Sequence, residues 1–214
     1  MPEGQTYCYA YPRPMFMVDA VVFTVRGRRL EVLLIERKHE PFAGHLALPG
    51  GFVDEHEPLS AAVARELAEE TGLEGVALEQ FRTFGAPGRD PRGWSISAAF
   101  LALVDASRHA PKADDDAARV DWFPVATLGP LAFDHSDIVE TATARLRELA
   151  CYAAVGAQLL PDTFTLGEIA DVHAAIRDGA VDAPALEQFL CSRGIVECVG
   201  TGRYRFATGE IPRF

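Results

Sequence analysis

The chain has 214 residues, 49% hydrophobic and 24% charged, which is ordinary for a globular protein with one large domain or a domain and a small appendage. Its formal net charge of −11 argues against non-specific binding to nucleic acid or to an anionic membrane. The sequence has no apolar run long enough to span a membrane and no signal-peptide pattern, so we expect a cytoplasmic protein.

The four cysteines form no CxxC pair and show no spacing to the six histidines that is typical of a metal site. We therefore expect reduced thiols, which are the rule in cytoplasmic proteins. A disulfide between Cys8 and Cys151 is the less favoured alternative.

The first part of the chain predicts an irregular arm followed by two strands. Residues 1–14 are rich in tyrosine and proline, whereas residues 15–25 and 30–36 are apolar runs joined by a turn at Gly27. Arg37 follows the second run directly and leads toward a glycine-rich turn. The sequence leaves two interpretations of Arg37 open: a solvated charge at a strand end, or a contact to a phosphate group of a substrate.

An acidic helix is predicted after the glycine-rich turn. Residues 58–72 are rich in alanine, leucine and glutamate, which are strong helix formers. At about 100° per residue, Glu66 and Glu70 lie one turn apart and Glu69 lies beside them. Three carboxylates on one helix face are either a solvated surface or a set of oxygen ligands suited to Mg²⁺ or Mn²⁺.

The loop at residues 84–94 contains three glycines, two prolines and two arginines. Arg89 and Arg92 carry planar guanidinium groups that suit phosphate or ribose oxygens, so we predict that they bind substrate. A surface turn with solvated arginines is the alternative. An apolar strand is predicted next, at residues 96–105.

An acidic triplet, Asp114, Asp115 and Asp116, lies in the polar loop at residues 107–118. Such triplets are usually solvated. This loop lies between two predicted strands, however, so one of its carboxylates is also a candidate to reach the metal site.

Strands and helices alternate up to about residue 158, which predicts an α/β/α sandwich around a mixed sheet. The last helix of this part is predicted at residues 136–154, with an apolar stripe along one side. His135 precedes it, and we interpret this residue as a capping or core-edge histidine, with a functional role as the alternative.

The pattern changes after residue 158. Helices are predicted at residues 164–175, with Thr165 as the N-cap, and at residues 183–193, and a β-hairpin follows. Helices followed by a hairpin are typical of a winged helix-turn-helix. We therefore predict two domains, at residues 1–158 and 159–214.

The spacing within the acidic helix reveals a family resemblance. Five residues separate Gly51 from Glu57, seven separate Glu57 from Arg65, and the chain then reads ELAEETGL up to Leu73. This pattern resembles the Nudix box of the Nudix hydrolases at every defined position. The flanking sequences resemble the branch that contains ADP-ribose pyrophosphatases and the NrtR-type regulators of NAD metabolism, and the C-terminal part is similar to the DNA-binding domain of those regulators.

The resemblance implies hydrolysis, dependent on Mg²⁺ or Mn²⁺, of a nucleoside diphosphate linked to another group. ADP-ribose is the leading substrate, with AMP and ribose 5-phosphate as products. Other nucleotide sugars, diadenosine polyphosphates, phosphoribosyl pyrophosphate and NADH stay open as alternatives. By resemblance, Glu66, Glu69, Glu70 and the backbone of Gly51 hold the metal, and the catalytic residues are Glu66, Arg65 and Glu69. Arg65 orients Glu66, and the general base is Glu66 or a carboxylate from Asp114, Asp115 or Asp116.

A regulator that senses ADP-ribose and binds DNA is the alternative function. The box carboxylates are all present, which favours the enzyme. From residue 161 onward, moreover, five arginines face eight acidic residues, a net charge of −3. Because DNA binding depends on neutralising phosphates, we expect the C-terminal part to be a poor reader of DNA. The expected partners are a small-molecule substrate and, by resemblance, a second copy of the chain, with no membrane partner.

Overall fold

The computed structural model describes residues 9–108, 111, 117–150 and 155–207. Its elements, in chain order, are β1 Met15–Arg26, β2 Arg29–Arg37, β3 Leu46–Ala47, β4 Gly50–Phe52, α1 Leu59–Thr71, β5 Glu79–Phe84, β6 Ser95–Leu103, β7 Ala117–Pro124, a short 3-10 turn Val125–Thr127, α2 His135–Leu149, α3 Leu166–Arg177, α4 Ala183–Ser192, β8 Val196–Gly200 and β9 Arg203–Phe206. The predicted elements are therefore present, with ends that differ by a few residues.

The strand β1 lies at the centre of a seven-stranded mixed sheet. The strand order is β3-β2-β1-β6-β5, with β4 also paired to β1 and β7 to β2. β1 runs parallel to β6 and antiparallel to β2 and β4. Its residues 18–24 are all buried, because a run rich in valine packs well in a strand covered on both faces.

Helices cover both faces of this sheet. Val21 and Phe23 of β1 belong to the same buried cluster as Ile138 of α2, whereas Ala20 and Val22 belong to the cluster that includes α1. This division follows from the period of two in a strand, which sends successive side chains to opposite faces. The predicted α/β/α sandwich around a mixed sheet is confirmed.

The C-terminal part has a small core of its own, built from α3, α4 and β8. Its buried members are Phe164, Ile169, Leu186, Leu190 and Val196. Helix α3 also contributes Val172 and Ile176 to the core beneath α2. The predicted helices and hairpin are thus present, while the domain boundary at residue 158 stays a prediction, since α3 packs into both cores.

The ends of α3 follow local chemistry. Thr165 accepts a hydrogen bond from the backbone N–H of Glu168, and the Glu168 carboxylate accepts from the backbone N–H of Thr165. This reciprocal capping box confirms Thr165 as the predicted N-cap. No helix in the described ranges is both long and apolar enough to cross a membrane.

The cysteine prediction is tested only in part. Cys191 and Cys198 are exposed free thiols, as expected. Cys8 and Cys151 lie outside the described residues.

Candidate active site beside the glycine turn

The turn at Gly50 and Gly51 brings the sheet and α1 together. β4 pairs with β1 so that Gly50 lies opposite Asp19 and Gly51 opposite Val18. A Cβ atom on Gly50 would lie 2.2 Å from the Val18 carbonyl oxygen, and one on Gly51 would lie 2.4 Å from the nearest carboxylate oxygen of Glu66. A side chain at Gly50 would therefore clash with the backbone, and one at Gly51 would displace the Glu66 carboxylate.

Arg65 connects acidic side chains of α1 with one in the segment just before it. Its Nε and Nη2 atoms donate to the two carboxylate oxygens of Glu57, each at 2.9 Å, and Nη2 also donates to the carbonyl oxygen of Phe52 at 3.1 Å. Its Nη1 donates to Glu66 at 2.8 Å and to Glu69 at 3.2 Å. One guanidinium therefore fixes three carboxylates relative to the turn, and the predicted pairing of Arg65 with Glu66 is present.

The carboxylates on this face have different environments. Burial raises the pKa of Glu66, and the hydrogen bond from Arg65 opposes that shift. The hydrogen bond from Arg65 is also the main cause that lowers the pKa of Glu57. Glu70 accepts a hydrogen bond from the Gly50 backbone N–H at 2.9 Å, whereas the Glu69 side chain is 60% exposed. Glu66 is therefore the carboxylate on this face whose affinity for a proton is raised.

Two arginines and two aromatic rings lie next to the turn. The Arg92 guanidinium is 5.1 Å from the ring centroid of Phe52 and 5.4 Å from that of Phe133, and its Nη2 donates to the fully buried Asp90 carboxylate at 2.7 Å. The Arg37 guanidinium is 4.9 Å from the same Phe133 ring. The structure thus brings together two of the three arginines predicted to bind substrate, while their contact with substrate stays a prediction.

Arg89, the third predicted substrate contact, lies inside the protein. Its side chain is 2% exposed and makes a two-pronged ion pair with Asp134, with N–O distances of 2.7 and 2.8 Å. Its Nη2 is also 3.7 Å from the Asp19 carboxylate. This burial favours a positioning role for Arg89 over the predicted contact with substrate.

Asp19 and His135 complete this buried polar network. His135 Nδ1 accepts a hydrogen bond from the Leu48 backbone N–H at 2.9 Å, so the ring proton lies on Nε2, which is 3.4 Å from Asp19. Asp19 also accepts a hydrogen bond from the hydroxyl of Ser97. Burial lowers the pKa of His135 and keeps the ring neutral. The network therefore supports the backbone just before the Gly50 turn.

The acidic triplet at Asp114, Asp115 and Asp116 lies outside the described residues. The strand that follows it begins at Ala117, which pairs with Arg37 of β2. The chain therefore rejoins the sheet next to Arg37, and a general base from this loop stays a prediction.

The comparisons with known proteins agree with this geometry. The family model for the NUDIX domain matches residues 15–142, which is more than half of the chain. The chain belongs to the Nudix family. The resemblance inferred from the spacing of the box is thereby confirmed.

Three relatives show how far the Nudix likeness extends. An ADPR-responsive transcriptional repressor, NtrR, from Acinetobacter baylyi is 35% identical over 191 residues, covering 87% of this chain and 76% of the relative. An ADP-ribose pyrophosphatase from Methanocaldococcus jannaschii is 40% identical over 130 residues, covering 61% of this chain and 73% of the relative. The crystal structure of Shewanella oneidensis NrtR complexed with a 27mer DNA has a TM-score of 0.75 at 32% identity, covering 90% of this chain and 92% of that one.

Nudix hydrolases generally use divalent metal ions, and the donors on this helix face fit such an ion in their chemistry. Glu66 is held against Gly51, Glu70 bonds to the Gly50 backbone, and all donors are oxygen atoms. Within the described ranges, no group of three acidic, histidine or cysteine side chains is arranged to hold a metal ion, and Arg65 bonds to both Glu66 and Glu69. Glu69 is thus paired with Arg65 in this structure, and the metal-binding role of Glu66, Glu69 and Glu70 stays a prediction.

Sequence reasoning missed Asp19, whereas the burial of His135 at the start of α2 agrees with its interpretation as a capping or core-edge histidine. A single aspartate in an otherwise apolar stretch of β1 was the available signal, since a buried charge needs a partner. The identity of that partner depends on the packing of β6, the loop before it and α2, which no local pattern reports.

Proposed function

We propose that this Nudix protein is a pyrophosphohydrolase that uses Mg²⁺ or Mn²⁺ to cleave ADP-ribose into AMP and ribose 5-phosphate. The observation that carries the proposal is the Nudix box itself, with Glu57, Glu66 and Glu69 joined by Arg65 and with Glu66 held against Gly51. ADP-ribose is favoured because the names of two relatives refer to it.

The metal would be held by Glu66, Glu69 and Glu70, with the carbonyl oxygen of Gly51. When bound, a divalent ion neutralises charge on the diphosphate and makes water more acidic. Arg65 keeps Glu66 in place on α1 and Glu57 in place just before it, and this is its proposed catalytic contribution.

Glu66 is the proposed general base among the described residues. Its raised pKa brings it closer to the pH at which a carboxylate accepts a proton efficiently, and its position against Gly51 places it beside the turn. A carboxylate from Asp114, Asp115 or Asp116 is the alternative base.

Arg37 and Arg92 are proposed to bind the phosphate and ribose oxygens of the substrate. Both guanidiniums lie over the Phe133 ring, and Arg92 is also held by Asp90, so their positions are fixed before the substrate arrives. The Phe52 ring is 42% exposed beside Arg92 and offers a flat apolar surface that suits a nucleobase.

Release of AMP from ADP-ribose by the purified protein with Mg²⁺ tests the proposal. Glu69→Gln and Glu70→Gln are expected to lose most of the rate, because each removes a negative charge from the metal site. Glu74→Gln is the matched control, since Glu74 is exposed just beyond the helix. Normal turnover in both box variants would contradict the assignment.

A regulator that binds ADP-ribose and DNA is the second candidate. It is favoured because the repressor matches 87% of this chain and the DNA-bound structure matches 90%. The charges of the C-terminal part oppose it: Arg205 pairs with Glu197 at 2.8 Å, Arg203 donates to Thr163, and Glu187 bonds to a tyrosine hydroxyl. This surface therefore has few cations available for phosphates among the described residues.

A gel-shift assay decides between the two candidates. Promoter DNA of NAD-metabolism genes is titrated with the full chain, with and without ADP-ribose and at two salt concentrations. Site-specific, salt-sensitive binding would overturn our preference for the enzyme, whereas hydrolysis without a shift supports it.

The proposal includes a cytoplasmic homodimer, in which the C-terminal part has a structural or dimer-supporting role. Sedimentation equilibrium measures the oligomeric state directly. A molecular mass close to the 23.2 kDa of one chain at all concentrations would contradict the dimer.

A further inference from the structure

A large cavity lies away from the glycine turn. Its volume is about 1160 Å³, and it lies between α2, the turn that joins β1 to β2, the segment after β7 and the C-terminal end of α3. Binding sites for small molecules commonly measure about 300–1,000 Å³, so this space is large enough for a ligand. No residue of the Nudix box lines it.

The cavity combines an apolar floor with a charged rim. Leu30, Leu131 and Val139 line the floor and are each at least nine-tenths buried. The rim holds three basic and two acidic side chains: Arg28, Arg29, Arg147, Glu140 and Asp178. In a protein with a net charge of −11, this is a local excess of positive charge.

The three arginines differ in their partners. Arg28 pairs with Asp171 at 2.9 Å, and the Nε of Arg147 donates to the Ile176 carbonyl oxygen at 3.0 Å. The exposed Arg29 guanidinium has no hydrogen bond or ion pair to any residue in the described ranges. Arg29 is therefore a cation at the mouth of the cavity that is available to an incoming anion.

We infer that this cavity is a second ligand site, which takes a small anion with an apolar or aromatic body. The buried leucines and valine would receive the body of the ligand, and Arg29 would pair with its carboxylate, sulfonate or phosphate group. Such a division between apolar walls and a few placed polar groups is usual for small-molecule sites.

A ligand bound at this site would stabilise the packing of α3 against the Nudix part of the chain. The links of α3 to that part include the Arg28–Asp171 ion pair and the bond from Arg147 to Ile176, and both arginines belong to the rim. A ligand that touches α2 and α3 together would add contacts across the same gap. Because α3 also belongs to the C-terminal core, the ligand would steady the helices and hairpin beyond it.

Titration with 8-anilinonaphthalene-1-sulfonate tests the site, because this dye has an aromatic body and one sulfonate. Saturable binding of one dye per chain is expected. Arg29→Ala is expected to weaken it about tenfold, the equivalent of one lost charged contact. Ala144→Trp, at an exposed α2 position on the cavity wall, is expected to block it by filling the space.

Two controls make the result decisive. Arg82→Ala removes an exposed arginine from β5, away from the cavity, and should leave dye binding unchanged. Trp94→Ala removes an exposed aromatic elsewhere on the surface and should also leave it unchanged. Dye binding that survives Ala144→Trp, or that is lost in Trp94→Ala, would overturn the inference.

Amide hydrogen exchange tests the effect on α3. Exchange in residues 166–177 is expected to slow when the dye is bound to the wild-type chain and to stay unchanged in Ala144→Trp. Unchanged exchange in the wild-type chain at saturation would refute the stabilisation of α3 by the bound ligand. ADP-ribose hydrolysis should be equal in Ala144→Trp and wild type, so this inference and the proposed enzyme activity fail or succeed separately.

Discussion

At the scale of single residues, space and charge pairing determine what the turn and its support can tolerate. The Glu66 carboxylate occupies the place that a Cβ on Gly51 would take, and the Arg89 guanidinium lies buried between Asp134 and Asp19. A side chain at position 51 would therefore displace that carboxylate. The buried Arg89 needs its acidic partners, because an unpaired charge is costly to bury.

Gly51→Ala is expected to reduce the rate of ADP-ribose hydrolysis strongly while the protein stays folded. The new methyl group would displace the Glu66 carboxylate, which lies 2.4 Å from its position. Gly129→Ala is the control, because a Cβ at Gly129 meets nothing within 4 Å. The measurement is kcat with the circular dichroism spectrum of each variant, and equal kcat in both would contradict the contact.

Arg89→Ala is expected to lower the free energy of unfolding by about 3–5 kcal/mol, because it leaves Asp134 without its buried partner. Urea unfolding measures this, and a double-mutant cycle with Asp134→Ala isolates the coupling of the pair. Arg89→Lys keeps the charge but loses the two-pronged geometry, so an intermediate loss is expected. A raised KM for ADP-ribose with unchanged stability would instead identify Arg89 as a substrate contact.

At the scale of elements, α3 joins the two cores. It begins with the capping box of Thr165 and Glu168, and it buries Ile169 in the C-terminal core and Ile176 in the core beneath α2. His173 lies between these two positions in the same helix and is 1% exposed, and neither of its ring nitrogens has a hydrogen-bond partner among the described residues. The helix that connects the two parts therefore carries a buried histidine whose neutral form is favoured.

Stability is expected to fall as the pH falls from about 6.5 to 4, in part because of His173. Burial lowers the pKa of His173 to about 4, whereas the unfolded chain binds the proton near 6.5. In that window the unfolded state binds more protons, so acid favours unfolding, by up to about 3 kcal/mol for this group. Its stabilisation is fully present above pH 6.5. The lowered pKa of His135 acts in the same direction.

Urea unfolding of His173→Leu across this pH range isolates the contribution of His173. The variant is expected to lose less stability on acidification than the wild-type protein does. His56→Asn is the control, since the His56 side chain is 91% exposed. A wild-type slope retained in His173→Leu would show that other groups cause the acid sensitivity.

At the scale of the whole molecule, an acidic site is assembled from distant parts of the chain. The glycine turn belongs to β4, and the carboxylates of the Nudix box belong mainly to α1. Arg37 ends β2, and Arg92 lies in the loop before β6. Glu57, Glu66 and Glu69 all bond to Arg65. A divalent ion that relieves the repulsion among these carboxylates would bind the folded state alone and stabilise the molecule.

Mg²⁺ is accordingly expected to raise the thermal midpoint of unfolding, and a chelator is expected to reverse the change. At about 100 times the dissociation constant, the stabilisation is about 2.7 kcal/mol. Glu66→Gln is expected to lose most of this shift, and Glu74→Gln to keep it. An equal shift in both variants would place the metal elsewhere.

The sequence by itself determined the elements and the family. Apolar runs predicted β1, β2 and β6, and alanine and glutamate predicted α1, because these patterns depend on neighbours along the chain. The fixed spacing from Gly51 to Leu73 identified the Nudix box, since each of its positions has a local role in one turn and one helix.

Only the tertiary structure decided which partners the charged side chains have. Arg89, Arg92 and Arg37 look alike in sequence, yet Arg89 is buried on Asp134, whereas Arg92 and Arg37 lie beside the Phe133 ring. Asp19 makes polar contacts with Ser97 and His135, which lie 78 and 116 positions away in the sequence. The reason is physical: a buried charge is satisfied by whichever partner the packing of strands and helices brings within a few ångströms, and that distance is not written in the local sequence.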